Sequence, residues 1–414
     1  MTTRVAITGL GVVSPIGNSV DELFASLYGG KSGIRALPEP LSASSKCSIG
    51  AVVDLPVRDD PPKMRLLDRV SQFALAAAAQ AVADANIDFA TEDRDRCGVA
   101  VGTGMGGARS TDEGYYTLYW QRSDRIAPFT VIRAMTNAAG ACLGLEYGLS
   151  GPNLTYSTAC SSSAVALGEA AGKIRACDAD VMLAGGAEAP LTPGVLRAWD
   201  AMRTLAQVDE HDPAASCRPF AATRSGLVLG EGAAFLVLES WEHALRRGAR
   251  IRAELIGYGL TTDCEHITRP TIAGQAKAMR SALKSAGRDP DQIDYINAHG
   301  TATIQNDLIE TTAIKEVFGE HARRLAVSST KSTHGHLLGA AGALEFVICV
   351  GCLERGWVPP TMHLNARDPA CDLDYVAEAA RPMASLQIAM SNSFAFGGTN
   401  AVLIVERPTR PTHE

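Results

Sequence analysis

Short apolar runs alternate along the chain with longer stretches in which apolar residues return every three or four positions. Alternating strand-like and helix-like periods mark βα units laid on a largely parallel sheet. Strand-like runs fall at 5–13, 98–101, 153–157, 181–184, 235–238, 293–297, 325–328 and 401–405. Helical periods cover 20–28, 70–85, 162–175, 274–286, 308–318 and 337–353. Small residues occupy every side of the stretch from Phe73 to Ala85, so that helix is expected in a crowded interior.

The pattern is faintly duplicated. Arg4-Val5-Ala6-Ile7-Thr8-Gly9 is echoed by Arg252-Ala253-Glu254-Leu255-Ile256-Gly257. Twice, a strand leads through a polar turn into a helix of small residues, at Ser157-Thr158-Ala159-Cys160 and at Ser328-Ser329-Thr330-Lys331. Two similar α/β halves, 1–250 and 251–414, are expected, and without a low-complexity linker they should share a continuous interface. The tail from Arg407 carries Pro408 and Pro411 and is expected to fray.

Composition narrows the class. With 414 residues, 46% hydrophobic and 20% charged, the chain can bury a sizeable core, and general disorder is excluded. Thirty-nine glycines against 6% aromatics suit backbones that approach closely. A net charge of −7 gives no global attraction to nucleic acid or anionic lipid. No apolar stretch reaches the roughly 20 residues of a membrane span. Met1-Thr2-Thr3-Arg4 passes directly into a strand-like run without the shape of a signal peptide. A soluble cytoplasmic protein is expected, with neither nucleic acid nor membrane as partner. The ten cysteines are scattered, so structural zinc is not expected. Cys349 and Cys352 lie in an apolar helical stretch and read as buried thiols.

Four segments carry candidate chemistry. In Thr158-Ala159-Cys160-Ser161-Ser162-Ser163 a thiol stands where a strand gives way to a helix, so the macrodipole should favour thiolate and the serines can cap the first turn. A buried core cysteine before an ordinary capped helix is an equal reading of that string alone. Ile296-Asn297-Ala298-His299-Gly300-Thr301-Ala302-Thr303 puts a histidine at a strand's carboxyl end, where α/β proteins place their sites, although a satisfied core histidine would look the same. Lys331-Ser332-Thr333-His334-Gly335-His336 precedes a helix rich in Gly and Ala. A lysine buried there needs a partner or a task, and an exposed loop lysine is the alternative. Asn392-Ser393-Phe394-Ala395-Phe396-Gly397-Gly398-Thr399-Asn400 reads alone as a plain turn, and its glycines would let an aromatic side chain move.

Together, in this order and spacing, the four segments resemble the elongating β-ketoacyl-[acyl-carrier-protein] synthases of the thiolase-like superfamily, type II, over residues 4–405. The resemblance implies a thiolase-like duplicated α-β-α-β-α five-layer fold, as a homodimer or a heterodimer with a related ketosynthase-like subunit. It implies that Cys160 takes the acyl chain as a thioester, and that the amides of Cys160 and Phe396 form an oxyanion hole. His299 and His336 would hold the malonyl thioester carbonyl through decarboxylation. Lys331 would orient the site, and Glu310 would be that lysine's acidic partner. Thr301 and Thr303 would bind the phosphopantetheine arm, which arrives on acyl carrier protein, so no resident cofactor is implied. Glu345 with Asn392 would help hold a structural monovalent cation.

By the same resemblance Trp199, Met105 and Phe396 line or gate the acyl pocket, and His266 and Thr268 sit on its rim. Because carrier protein is acidic, a local basic rim is needed, with Lys63, Arg65, Arg69, Arg125 and Arg203 as candidates. Several departures concern the pathway. Ala395 stands where relatives carry Gly, Ser225 replaces an acid after Arg224, and Gln305-Asn306-Asp307 with Glu310-Thr311 leans toward type II polyketide ketosynthases, as does Ser161. A ketosynthase of a specialised polyketide or polyene pathway is the alternative enzyme reading. A catalytically silent chain-length subunit is the non-enzyme one. Thiolases use a second active-site cysteine and lack the Lys331/His336 loop, and a papain-like hydrolase lacks its local cysteine signature here.

Overall fold

A computed structural model describes residues 3–55 and 66–408. Among these residues ten strands form one mixed sheet. The first half contributes β1 (Val5–Val13), β2 (Cys97–Gly102), β3 (Asn153–Tyr156), β4 (Val181–Glu188) and β5 (Gly232–Ser240). The second contributes β6 (Ala253–Thr262), β7 (Tyr295–Asn297), β8 (Ala326–Ser328), β9 (Ile388–Phe394) and β10 (Thr399–Glu406). Across the sheet the order is 8-7-9-10-6-1-5-4-2-3. Each half therefore repeats one arrangement, with its first strand at the centre and its third at the edge. β2 runs parallel to β3 and β4, as β7 does to β8 and β9. The echo of 4–9 by 252–257 is a structural equivalence, because β1 and β6 meet antiparallel at Ala6↔Glu254 and Ile7↔Ala253.

Six helices complete the layers: α1 (Arg69–Ala85), α2 (Ala138–Tyr147), α3 (Ser162–Arg175), α4 (Ile272–Ala286), α5 (Ile304–Phe318) and α6 (Ala341–Arg355). α3 and α6 share one core with strands of both halves, which makes them the central layer. That is why α6 is buried on every side from Ala341 to Leu353, with Cys349 and Cys352 as core thiols. α1 and α2 cover the outer face of the first half, and α4 and α5 that of the second. This is the five-layer α/β thiolase-like architecture. Close approach explains the small residues: a Cβ at Gly9 or Gly11 of β1 would collide with the backbone carbonyls of Ala81 or Ala77 on α1. Enlarging such a position costs about 1–3 kcal/mol.

Some elements differ from the periodic reading. β6 and β9 were not among the expected strands, since Gly257 and Gly259 interrupt one and Asn392 and the serines around it the other. α5 begins four residues before 308 because Thr303 Oγ1 accepts the Asn306 N–H at 3.3 Å and caps it. The helix expected over 337–353 is divided: Leu338–Ala340 forms a 3-10 turn, with Leu338 at φ +44°, before α6 starts. Residues 409–414 of the tail lie outside the described residues. No helix of the described residues is long and apolar enough to cross a membrane.

Candidate active site

After β3 the chain turns sharply into α3. Ala159 takes φ +50°, a left-handed conformation unusual for a residue with a side chain, and Cys160 follows in the 3-10 turn Ala159–Ser161. The serines do not cap the helix by their side chains. Ser161 Oγ donates to the Thr158 carbonyl at 2.9 Å and Ser162 Oγ to the Ala159 carbonyl at 2.6 Å, while Ser163 Oγ accepts the Ala343 N–H at 2.8 Å. They hold the strained turn and fasten it to α6. The thiol is buried, and burial pushes it up to about 11. Lys331 and the amide N–H groups of Phe396 and Cys160, all of which favour thiolate, do not offset that cost. The dipole-stabilised thiolate expected from the sequence is thus not the resting form.

The two imidazoles converge on this sulfur: the ligand atoms of Cys160, His299 and His336 all lie within 4.8 Å of one another. The rings stand edge to face, with centroids 5.4 Å apart and planes at 82°. Nδ1 of His336 accepts the Leu338 N–H at 3.2 Å, so its proton sits on Nε2, a buried atom without a hydrogen-bonding partner among the described residues. Lys331 Nζ lies 3.5 Å from Nδ1 of His299 and 2.6 Å from its carbonyl oxygen, which likewise places that ring's proton on Nε2. Burial first, then the Lys331 charge, hold both histidines well below the ordinary value, so both are neutral donors.

Glu310 is not the lysine's direct partner. Its carboxylate accepts the N–H groups of His299 and Gly300, both at 2.8 Å, and the Asn392 amide at 3.2 Å. Lys331 Nζ pairs instead with Glu345, and both side chains are fully buried. The reason is position: Glu345 projects from the first turns of the central helix α6, whereas Glu310 on α5 is taken up by the β7 turn. Glu345 and Asn392 do not bond each other. Glu345 Oε2, Asn392 Oδ1 and Asn297 Oδ1 are buried oxygens without hydrogen-bonding partners among the described residues.

A cleft of about 350 Å³ opens onto Cys160, His299 and His336. Thr301, Thr303, His266, Thr268, Phe396 and Arg203 line it. Thr301 and Thr303 hydroxyls are 2.9 Å apart. Trp199 stacks on Phe396 at 5.9 Å and 26° and packs in the apolar cluster around Cys160. Ala395 is compatible with the turn because the positive φ angles fall on Gly397 (+84°) and Gly398 (+77°).

Other expectations are corrected. Met105 is not a lining residue; its N–H donates to Glu188 at 3.0 Å and its side chain is exposed. Arg69 is not a free rim charge, since Glu231 and the Val53 carbonyl occupy its guanidinium. Arg125 is exposed outside the cleft lining. Lys63 and Arg65 lie outside the described residues. Ser225 lines the cleft, and Arg224 beside it finds its acid in Asp368, at 2.7 Å. Sequence reasoning missed Arg269, Phe394 and Asn306 as lining residues, although each adjoins a residue singled out above.

Missed also was Glu188, at the end of β4. It is fully buried and held up to about 7 by burial, against four hydrogen bonds that favour its charge.

Fold and site together define a cysteine-dependent acyltransferase of thiolase-like architecture. Comparison makes the family specific. The model of the β-ketoacyl synthase N-terminal domain matches residues 2–244, and that of the C-terminal domain residues 252–365. The chain is 44% identical over 405 residues to nodulation protein E of Rhizobium meliloti strain 1021, covering 97% of this chain and 99% of that protein. It is 42% identical over 413 residues to 3-oxoacyl-[acyl-carrier-protein] synthase 2 of Coxiella burnetii, covering 98% of each. Among solved structures, a ketosynthase of the AntDE:AntF complex, a type II PKS acyl-carrier protein with its ketosynthase bound to the hexaketide, superposes with a TM-score of 0.91. It is 34% identical and covers 99% of this chain and 100% of that one. The ishigamide ketosynthase/chain length factor gives 0.90 at 33% identity, covering 99% and 100%. The chain belongs to the β-ketoacyl synthase family.

Proposed function

We propose that the chain catalyses decarboxylative Claisen condensation of an acyl group held on Cys160 with malonyl-[acyl-carrier-protein], extending the chain by two carbons. In the first half-reaction Cys160 Sγ attacks the acyl thioester, the tetrahedral oxygen is held by the N–H groups of Cys160 and Phe396, and the thiol proton leaves with the phosphopantetheine sulfur. In the second, the bond from malonyl carbon to carboxylate breaks and CO₂ departs. The electron pair moves into an enolate whose oxygen takes the Nε2–H donors of His299 and His336. The enolate carbon then attacks the acyl-Cys160 carbonyl, and Cys160 leaves as thiolate and regains a proton. Lys331 and Glu310 act behind this pair, the one on the His299 ring and the other on its backbone. The single observation that carries the reading is the convergence of one sulfur and two neutral imidazoles within 4.8 Å. The same convergence speaks against a silent chain-length subunit.

Thr301 and Thr303 would bind the phosphopantetheine arm. Arg203 and Arg269, exposed at the cleft without an ion pair among the described residues, would meet the acidic carrier protein, with Arg125 as a further contact. Asn297, Glu345 and Asn392 would hold a monovalent cation. Dimerisation with a second copy or a ketosynthase-like subunit is supported by β3, an edge strand whose Asn153 and Leu154 are exposed, and by the exposed Tyr119, Trp120 and Ile132. Ten free cysteines suit the cytoplasm. The likeness to nodulation protein E, with Ala395 and the 305–311 segment, favours a specialised pathway as the second reading. A panel of saturated and unsaturated acyl-carrier-protein thioesters of several lengths, each with malonyl-carrier protein, separates the two. Absence of condensation with every member overturns both.

A further inference from the structure

Glu188 lies at the carboxyl end of β4 and is fully buried, with no cation paired to it among the described residues. Its Oε2 accepts the N–H groups of Gly104 at 2.6 Å and Gly339 at 2.9 Å. Its Oε1 accepts Met105 N–H at 3.0 Å and Thr103 Oγ1–H at 3.2 Å. Four donors on two oxygens fill the acceptor capacity of a carboxylate and leave no acceptor for a carboxyl proton. The loop after β2, from the first half, and the turn after His336, from the second, are thus clasped by one carboxylate side chain. They touch directly, because a Cβ at Gly339 would collide with Gly104 N and stand 2.6 Å from Glu188 Oε2. Gly339 is the neighbour of Leu338, whose N–H holds Nδ1 of His336 and whose side chain packs with Cys160.

We propose that Glu188 is a positioning residue for decarboxylation: by anchoring the Leu338–Gly339 turn it keeps Nε2–H of His336 aimed at the developing enolate. The proposal rests on the condensation reading above and adds to it a residue remote from the substrate. Acylation of Cys160 does not need this anchor, and ionised Glu188 raises the Cys160 thiol, so losing its charge favours that step.

The test separates the two half-reactions in Glu188→Gln, which sets an amide donor against backbone donors. Intact mass follows acyl transfer to Cys160, CO₂ release from malonyl-carrier protein follows decarboxylation, and ¹⁵N spectra of labelled histidine report the tautomer of His336. Expected are acylation at the wild-type rate or faster, decarboxylation lower by about a hundredfold, the loss seen when one oxyanion donor goes, and loss of the single Nε2–H tautomer. Glu188→Asp, which keeps the charge, should recover part of the decarboxylation at unchanged acylation. If Glu188→Gln is recovered only as aggregate, Glu188→Asp is read against wild type, with decarboxylation reduced and acylation intact as the expected split. Parallel loss of both half-reactions, or wild-type decarboxylation with an altered anchor, overturns the proposal. Wild-type protein that acylates but releases no CO₂ overturns the condensation reading instead.

Discussion

The backbone N–H of Leu338 donates to Nδ1 of His336 at 3.2 Å, and that one bond decides which ring nitrogen carries the proton. Lys331 makes the equivalent choice for His299. Both imidazoles are therefore donors on the side where an enolate oxygen would form, without carrying a charge that would have to be buried. His336→Ala or His299→Ala should lower decarboxylation about 10²–10³-fold while Cys160 still takes an acyl group. Undiminished CO₂ release from malonyl-carrier protein would contradict this. Since both rings titrate well below the ordinary imidazole range, neither histidine should contribute an inflection near pH 6.5 to the decarboxylation rate, and one near pH 7 belongs to Glu188.

The Cys160 thiol, raised to about 11 by burial, should behave as a thiol at neutral pH. Its folded-state value lies above the working range, so the thiolate fraction rises with pH throughout it. Iodoacetamide should alkylate Cys160 about tenfold faster for each unit between pH 7 and 9.5. A rate that is flat across that interval would mean a thiolate already formed. Cys160→Ala should fold and form no acyl-enzyme by intact mass.

The Lys331–Glu345 pair is fully buried, so breaking it leaves an uncompensated charge or dipole in the core. Lys331→Met should cost about 3–5 kcal/mol in urea unfolding. The double variant Lys331→Met/Glu345→Gln should recover part of that loss. Additive losses in the double variant would show that the two groups are not coupled.

Trp199 is not itself a lining residue of the cleft, but it stacks behind the lining residue Phe396 with a contact worth about 0.5–1.5 kcal/mol beyond its burial. Trp199→Ala should shift preference toward longer acyl chains, with KM for them falling while decarboxylation is unchanged. An identical chain-length profile would remove Trp199 from specificity.

Much of this was legible from local pattern. The boundaries of β1 and α3 follow from runs whose local preference and tertiary role agree, and the motifs around Cys160, His299, Lys331 and Phe396 carry their chemistry in consecutive residues. β6 and β9 escaped because glycines and polar residues stand where close packing and a buried polar cluster need them, which breaks the apolar run that marks a strand.

What the order of residues determined alone was therefore local: which segments turn, which pack closely, and which side chains are chemically able. Partnership was decided only when distant elements met. Lys331 pairs with Glu345 rather than Glu310, Arg69 is spent on Glu231, and Glu188 clasps two loops, the farther of them 151 residues along the chain from it. Even the state of the Cys160 thiol belongs to the tertiary fold. A helix terminus is written in the sequence, but the desolvation that outweighs it is the work of every layer packed around the site.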